Sequence, residues 1–163
     1  MSKHKKFDIE KISVAEMFIV NAAIDNKSEL LTLEKEAYSF HFEYSFEPAV
    51  NSVEKKVRVV FICDISTFTK GNVEININGK FEIAFIFQVE NLEELVDDAN
   101  DSDFDYDLLL SLNNIAYSTA RGIIYTRCQG TILEKLILPI LSSQKLVEML
   151  NENLDKHQAK QSK

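Results

Sequence analysis

Residues Asn113 to Leu141 read NNIAYSTARGIIYTRCQGTILEKLILPIL, and their reading decides the fold. Ala116, Ser118, Thr119, Ala120 and Gly122 let a neighbouring backbone come close, as happens where helices pack tightly. The helix that carries them is expected over about residues 105–128. Leu109, Leu112, Ala116, Ala120 and Ile123 fall near one face, and Gly130 is placed to stop it. Next comes Leu136-Ile137-Leu138-Pro139-Ile140-Leu141, five large aliphatic side chains around a proline that forbids an unbroken helix. Such an apolar crossover covers, or helps form, a hydrophobic surface. A second helix is expected from about Ser143 to Leu154, capped by Ser142 or Ser143. Its apolar stripe is Leu146, Val147, Leu150 and Leu154, and the tail KHQAKQSK should fray.

Working outward towards the N-terminus, the helical period gives way to a period of two. Tyr38, Phe40, Phe42, Tyr44 and Phe46 share one face of a strand whose other face is polar, and Pro48 is expected to end it. In the next strand Val57, Val59, Phe61, Cys63 and Ile65 alternate with Arg58, Val60, Ile62 and Asp64. Its second face is therefore half apolar and is expected to meet a partner. Phe81, Ile83, Phe85, Phe87 and Val89 repeat the pattern after Val73, Ile75 and Ile77. A first strand is expected from Phe7 to about Met17, with a bulge near Glu10-Lys11 where the alternation shifts. Two turns compete. Asn78-Gly79 suits a tight hairpin; a reversal at 70–72 makes Val73 to Val89 one strand, with Gly79 marking a bulge or a close backbone approach.

A chain of 163 residues, 45% hydrophobic and 27% charged, suits one folded domain over 1–163 with a sizeable core. The formal charge of -8 disfavours nucleic acid, whose phosphates need gathered Lys and Arg, and favours basic or unfolded partners. Cys63 and Cys128 sit in apolar periodic segments and read as reduced core thiols. The opening MSKHKKFDIEK carries no apolar signal segment, and no apolar run nears the ~20 residues that a bilayer requires. A cytoplasmic address without a membrane span is expected.

Catalysis finds little support. His4, His41 and His157 are scattered without metal-ligand spacing, so no metal and no cofactor is expected. Four glycines form no phosphate-binding loop, and Ser118 and Ser142 lack a nucleophile elbow. Arg121 and Arg127 read as ion-pair or interface residues. In the acidic connector at 90–105, Asp101, Asp103 and Asp105 alternate like the first ligands of a calcium loop. Tyr106 stands where that loop needs Gly, however, and Leu112 where it needs Glu. Carboxylates there complement the N-terminus of the following helix instead.

Strands first and helices last, together with Asn114-Ile115, Thr119-Ala120-Arg121, Gln129-Gly130-Thr131 and the Leu136–Leu141 run, resemble the SecB family of export chaperones. The resemblance covers nearly the whole chain. It implies an α+β fold, a four-stranded antiparallel sheet followed by two C-terminal helices, and it favours the reversal at 70–72. It further implies a dimer or a homotetramer built as a dimer of dimers, and an ATP-independent holdase that keeps unfolded or export-competent polypeptide in a hydrophobic groove. A holdase needs exposed apolar area and loosely specified contacts. The groove is expected along the aromatic strand, the crossover and the second helix, at Phe40, Phe42, Tyr44, Phe46, Leu136, Leu138, Ile140 and Leu141. In SecB, acidic residues of the exposed sheet dock the SecA motor, and Glu16 and Glu74 fall at matching places. Val20 stands where a second carboxylate is expected, and Asn72 where a leucine is. Because some members of the family guard antitoxins, a module dedicated to one such partner is the alternative.

Overall fold

The computed structural model describes residues 8–26, 38–96 and 105–161, with side chains to residue 152. Strands β1 (Ile12–Asn26), β2 (Tyr38–Asn51), β3 (Lys56–Thr69) and β4 (Glu74–Val89) form one antiparallel sheet in the order β1-β4-β3-β2. Helices α1 (Tyr106–Cys128) and α2 (Ser143–Gln161) follow, so the fold is α+β, with the strands first and the helices last. α1 packs over β3 and β4, while α2 packs over β2 and α1. Alternation explains which face they cover. Val57, Val59, Phe61, Cys63 and Ile65 of β3 and Phe81, Ile83, Phe85, Phe87 and Val89 of β4 are all buried. They join one apolar cluster with Leu108, Leu112, Ala116, Ala120 and Ile124 of α1 and with Leu133, Leu136, Leu138 and Leu146 beyond it.

The turns settle the register. β3 and β4 are joined at Lys70–Val73: Asn72 takes a φ of 59° and donates to the Thr69 carbonyl at 2.9 Å, while Thr69 N–H reaches the Val73 carbonyl at 2.9 Å. Asparagine tolerates that left-handed backbone, so the chain can reverse here, and Asn78-Gly79 lies inside β4 instead. Gly79 lies inside β4, paired with Ile65 of β3 and Ile24 of β1. A Cβ there would lie 3.2 Å from the Ile65 and Leu133 side chains, so glycine answers a close approach. The β3–β4 register slips just before it, between Ser66 and Thr67.

Four boundaries correct the sequence reading. The first strand runs over Ile12–Asn26, not from Phe7, which lies outside the described residues, to Met17. Where a bulge was expected at Glu10-Lys11, a 3-10 turn spans Ile9–Lys11, started by the Asp8 carboxylate accepting from Glu10 N–H at 3.1 Å. The bulges sit inside β1, at the register shifts Val14/Glu16 and Ile19/Asn21. Pro48 does not end β2; it pairs with Val59, and the strand continues to Asn51. β2 is an edge strand, where a residue without an N–H can stand facing away from the ladder. α2 runs to Gln161, through most of the tail expected to fray. Its start is as expected, with Ser142 Oγ accepting from Lys145 N–H at 3.1 Å.

The Asp105 carboxylate accepts from Leu108 N–H at 2.9 Å and caps α1. Asp101 and Asp103 lie outside the described residues, as do His4 and the side chain of His157. α1 ends at Gly130, whose φ of 73° turns the chain away.

Candidate functional site

The aromatic period of β2 lays a row of rings along the helix-facing side of the sheet. Tyr38 meets Phe40 edge-on at 5.5 Å, Phe42 stacks on Tyr44 at 6.0 Å, and Phe46 lies 5.2 Å from Phe61 of β3. Phe40, Phe42 and Tyr44 remain half-buried, whereas Phe46 is buried in the core. The row ends on α1, where the Tyr117 ring meets Tyr44 edge-on at 5.7 Å and Phe61 at 5.6 Å. Edge-to-face pairs of this kind add to simple burial and fix ring positions.

Tyr117 connects that row to the crossover. Its hydroxyl donates to the Pro139 carbonyl at 2.7 Å, and one turn further along α1 Arg121 Nε donates to the Leu138 carbonyl at 3.1 Å. Arg121 makes no ion pair among the described residues; it holds main chain instead. The crossover alternates beneath and above this clamp. Leu136 and Leu138 are buried at 0% and 2% exposure, while Ile137 and Ile140 stand out at 66% and 83% and Leu141 is half-buried. The Tyr44 hydroxyl is buried without a well-formed hydrogen bond among the described residues. Burial first, and then the neighbouring Tyr117 hydroxyl, keep it protonated well above the usual phenol range. Burial likewise raises Tyr117.

The eight residues expected to line a groove therefore divide. Phe40, Phe42, Tyr44, Ile140 and Leu141 offer accessible surface; Phe46, Leu136 and Leu138 belong to the core. Tyr117 and Arg121 were missed as a pair. Their spacing of four residues on one helix face was the available signal, yet nothing in it said that the partner was a carbonyl.

A second apolar surface lies on the opposite flank. Val14, Met17, Phe18 and Val20 of β1 are each about half exposed, and Met17, Phe18 and Ile19 line an open cleft of about 640 Å³ with Gly122, Ile123, Thr126 and Arg127 of α1. A Cβ on Gly122 would meet nothing within 4 Å, so the small residue faces open space. The outer face of the sheet is mixed. There Glu16, Phe18, Arg58 and Ile86 border a shallow cleft of about 350 Å³. Glu16 pairs with Ile86, twelve residues along β4 from Glu74, so about 40 Å of strand at ~3.3 Å per residue separates the two carboxylates.

Cys63 and Cys128 are free and buried; burial pushes their thiols up to about 12 and about 11, so both stay protonated and unreactive at neutral pH. Among the described residues no three His, Cys, Asp or Glu side chains gather to hold a metal ion, and no helix is long and apolar enough to cross a membrane.

No protein-family model and no curated protein matches the sequence. Solved structures do. The SecB-like chaperone Rv1957 of Mycobacterium tuberculosis, in complex with a ChAD peptide from the antitoxin HigA1 (Rv1956), superposes with a TM-score of 0.60 at 16% identity, over 82% of this chain and 91% of that one. A Streptococcus agalactiae protein of unknown function superposes more loosely, with a TM-score of 0.41 at 11% identity over 80% and 96% of the two chains. The first likeness establishes the SecB-like fold.

Proposed function

We propose that this chain is an ATP-independent chaperone whose clients are extended apolar stretches of unfolded polypeptide. The observation that carries this reading is the ring row of β2, half-buried from Tyr38 to Tyr44 and continued by a crossover that leaves Ile137 and Ile140 in water. Rings and aliphatic side chains bind other apolar chains without reading their sequence, which suits many clients. Phe40, Phe42, Tyr44, Ile140 and Leu141 make the first contacts, and Phe46, Leu136 and Leu138 lie buried beneath them. The chain acts as one unit over 1–163, in the cytoplasm, without metal, cofactor, nucleic acid or catalysis. The flank of β1 and α1 takes a second copy of the chain, as a dimer or as half of a tetramer. SecA remains a partner only if its docking segment spans the long separation of Glu16 and Glu74.

Light scattering by two unrelated aggregating clients, with and without near-stoichiometric protein and no nucleotide, tests the reading. Suppression of both supports a general holdase. A dedicated module is the second reading, favoured by the fold neighbour's capture with an antitoxin peptide. Failure with both clients, while a single partner such as an antitoxin is protected, would establish it.

A further inference from the structure

Resting on that chaperone reading, we infer that the crossover is a tethered occupant of the groove, displaced when a client peptide takes over the Tyr117 and Arg121 donors. From Leu136 to Leu141 the chain forms neither helix nor strand. Its backbone has no ladder to hold it: the Leu136 N–H to Leu133 carbonyl contact, at 2.9 Å, closes a turn at its very start. Instead the segment is held as a receptor holds an extended peptide. Alternate side chains, Leu136 and Leu138, go into the core while Ile137 and Pro139 face outward. Two main-chain carbonyls, those of Leu138 and Pro139, accept from side-chain donors on α1.

Donors aimed at carbonyls read no side chain, so any extended segment with large aliphatic residues at alternate positions satisfies the same receptor. The ligand class is thus an unpaired, extended peptide with large aliphatic residues at alternate positions, as at Leu136 and Leu138. A tethered copy competes at an effective concentration in the mM range, and a closed crossover weakens apparent client affinity in proportion to how rarely it opens.

The probe is a fluorescein-labelled peptide with the sequence of residues 134–142, added to the full chain and followed by anisotropy. Leu138→Ala loosens the tethered copy, and the peptide is expected to bind at least about tenfold more tightly than to the wild type. Unchanged or weaker binding overturns the inference and makes the crossover a fixed wall. If the variant does not fold, spin labels at Ser118→Cys and Ile140→Cys in an otherwise wild-type chain decide. Both positions are exposed, and the native thiols are buried. Peptide is expected to lengthen the distance between the labels, and an unchanged distance overturns the inference. No peptide binding by either protein also overturns it. If unrelated clients are still protected in that case, the chaperone reading survives; if they are not, both fall.

Discussion

The two edges of the sheet expose apolar surface in opposite ways. At β1, Val14, Met17, Phe18 and Val20 stand about half exposed, and Met17 and Phe18 line an open cleft whose far wall is α1. At β2 the ring row is covered in part by α2 and tied through Tyr117 to the crossover, whose carbonyls are held by two side-chain donors. An uncovered edge strand with apolar side chains invites lasting association. A covered surface under a two-bond clamp can open and close. The first suits a partner that stays, and the second suits partners that come and go.

Charging the open edge should have the largest effect. Val14→Glu with Met17→Glu places carboxylates where a second copy would bury them. Self-association is expected to weaken by at least about a hundredfold, read as a fall in solution mass, because an unpaired buried charge costs several kcal/mol. A wild-type chain that is already monomeric would remove the contrast between the edges.

Two leucines of equal burial separate core from clamp. Leu112→Ala in α1 should cost the full ~2–5 kcal/mol of a core cavity in urea unfolding. Leu138→Ala should cost less than about 2 kcal/mol, since the crossover can let go without the rest unfolding. Equal losses would mean that the crossover is simply core.

Phe42→Ser should lower affinity for an unfolded client about tenfold, some 1.4 kcal/mol, while leaving the solution mass unchanged. A mass change without an affinity change would exchange the roles of the two edges.

The weakest effect concerns alkaline pH. Tyr44 and Tyr117 have raised folded-state values, chiefly through burial. The unfolded chain therefore loses these protons first, near the ordinary tyrosine value of ~10. The stabilisation they give is whole below that pH and declines above it. A fluorophore at Ile140→Cys should report crossover opening on raising the pH past about 10, with Tyr44→Phe making the curve shallower; no change in slope would place Tyr44 outside the clamp.

Much of this was legible beforehand, residue by residue. Period-two alternation marked β2, β3 and β4, and the ring row followed from Tyr38 to Phe46. β1 was placed only in part, from Phe7 to Met17 rather than Ile12 to Asn26, because bulges at Val14/Glu16 and Ile19/Asn21 reset its alternation, so its exposed side chains were not recognised as a surface. Pro48 misled because a strand's place at the edge of a sheet is not written in its own residues. Within Leu136–Leu141 every side chain but the proline is similarly hydrophobic, so no local signal told the buried Leu138 from the exposed Ile140. Arg121 read as an ion-pair or interface residue, since nothing in its own surroundings names a main-chain carbonyl seventeen residues away as its partner.

Period, turn chemistry and capping are local properties, so the chain alone determined its elements, their type and the SecB-like order of strands and helices. Which apolar side chains were left in water depended on contacts between residues far apart in sequence: Tyr117 with Pro139, Arg121 with Leu138, β1 with β4. Only the tertiary structure decided that, because burial belongs to a pair of surfaces and a hydrophobic residue carries no mark of the surface it will meet.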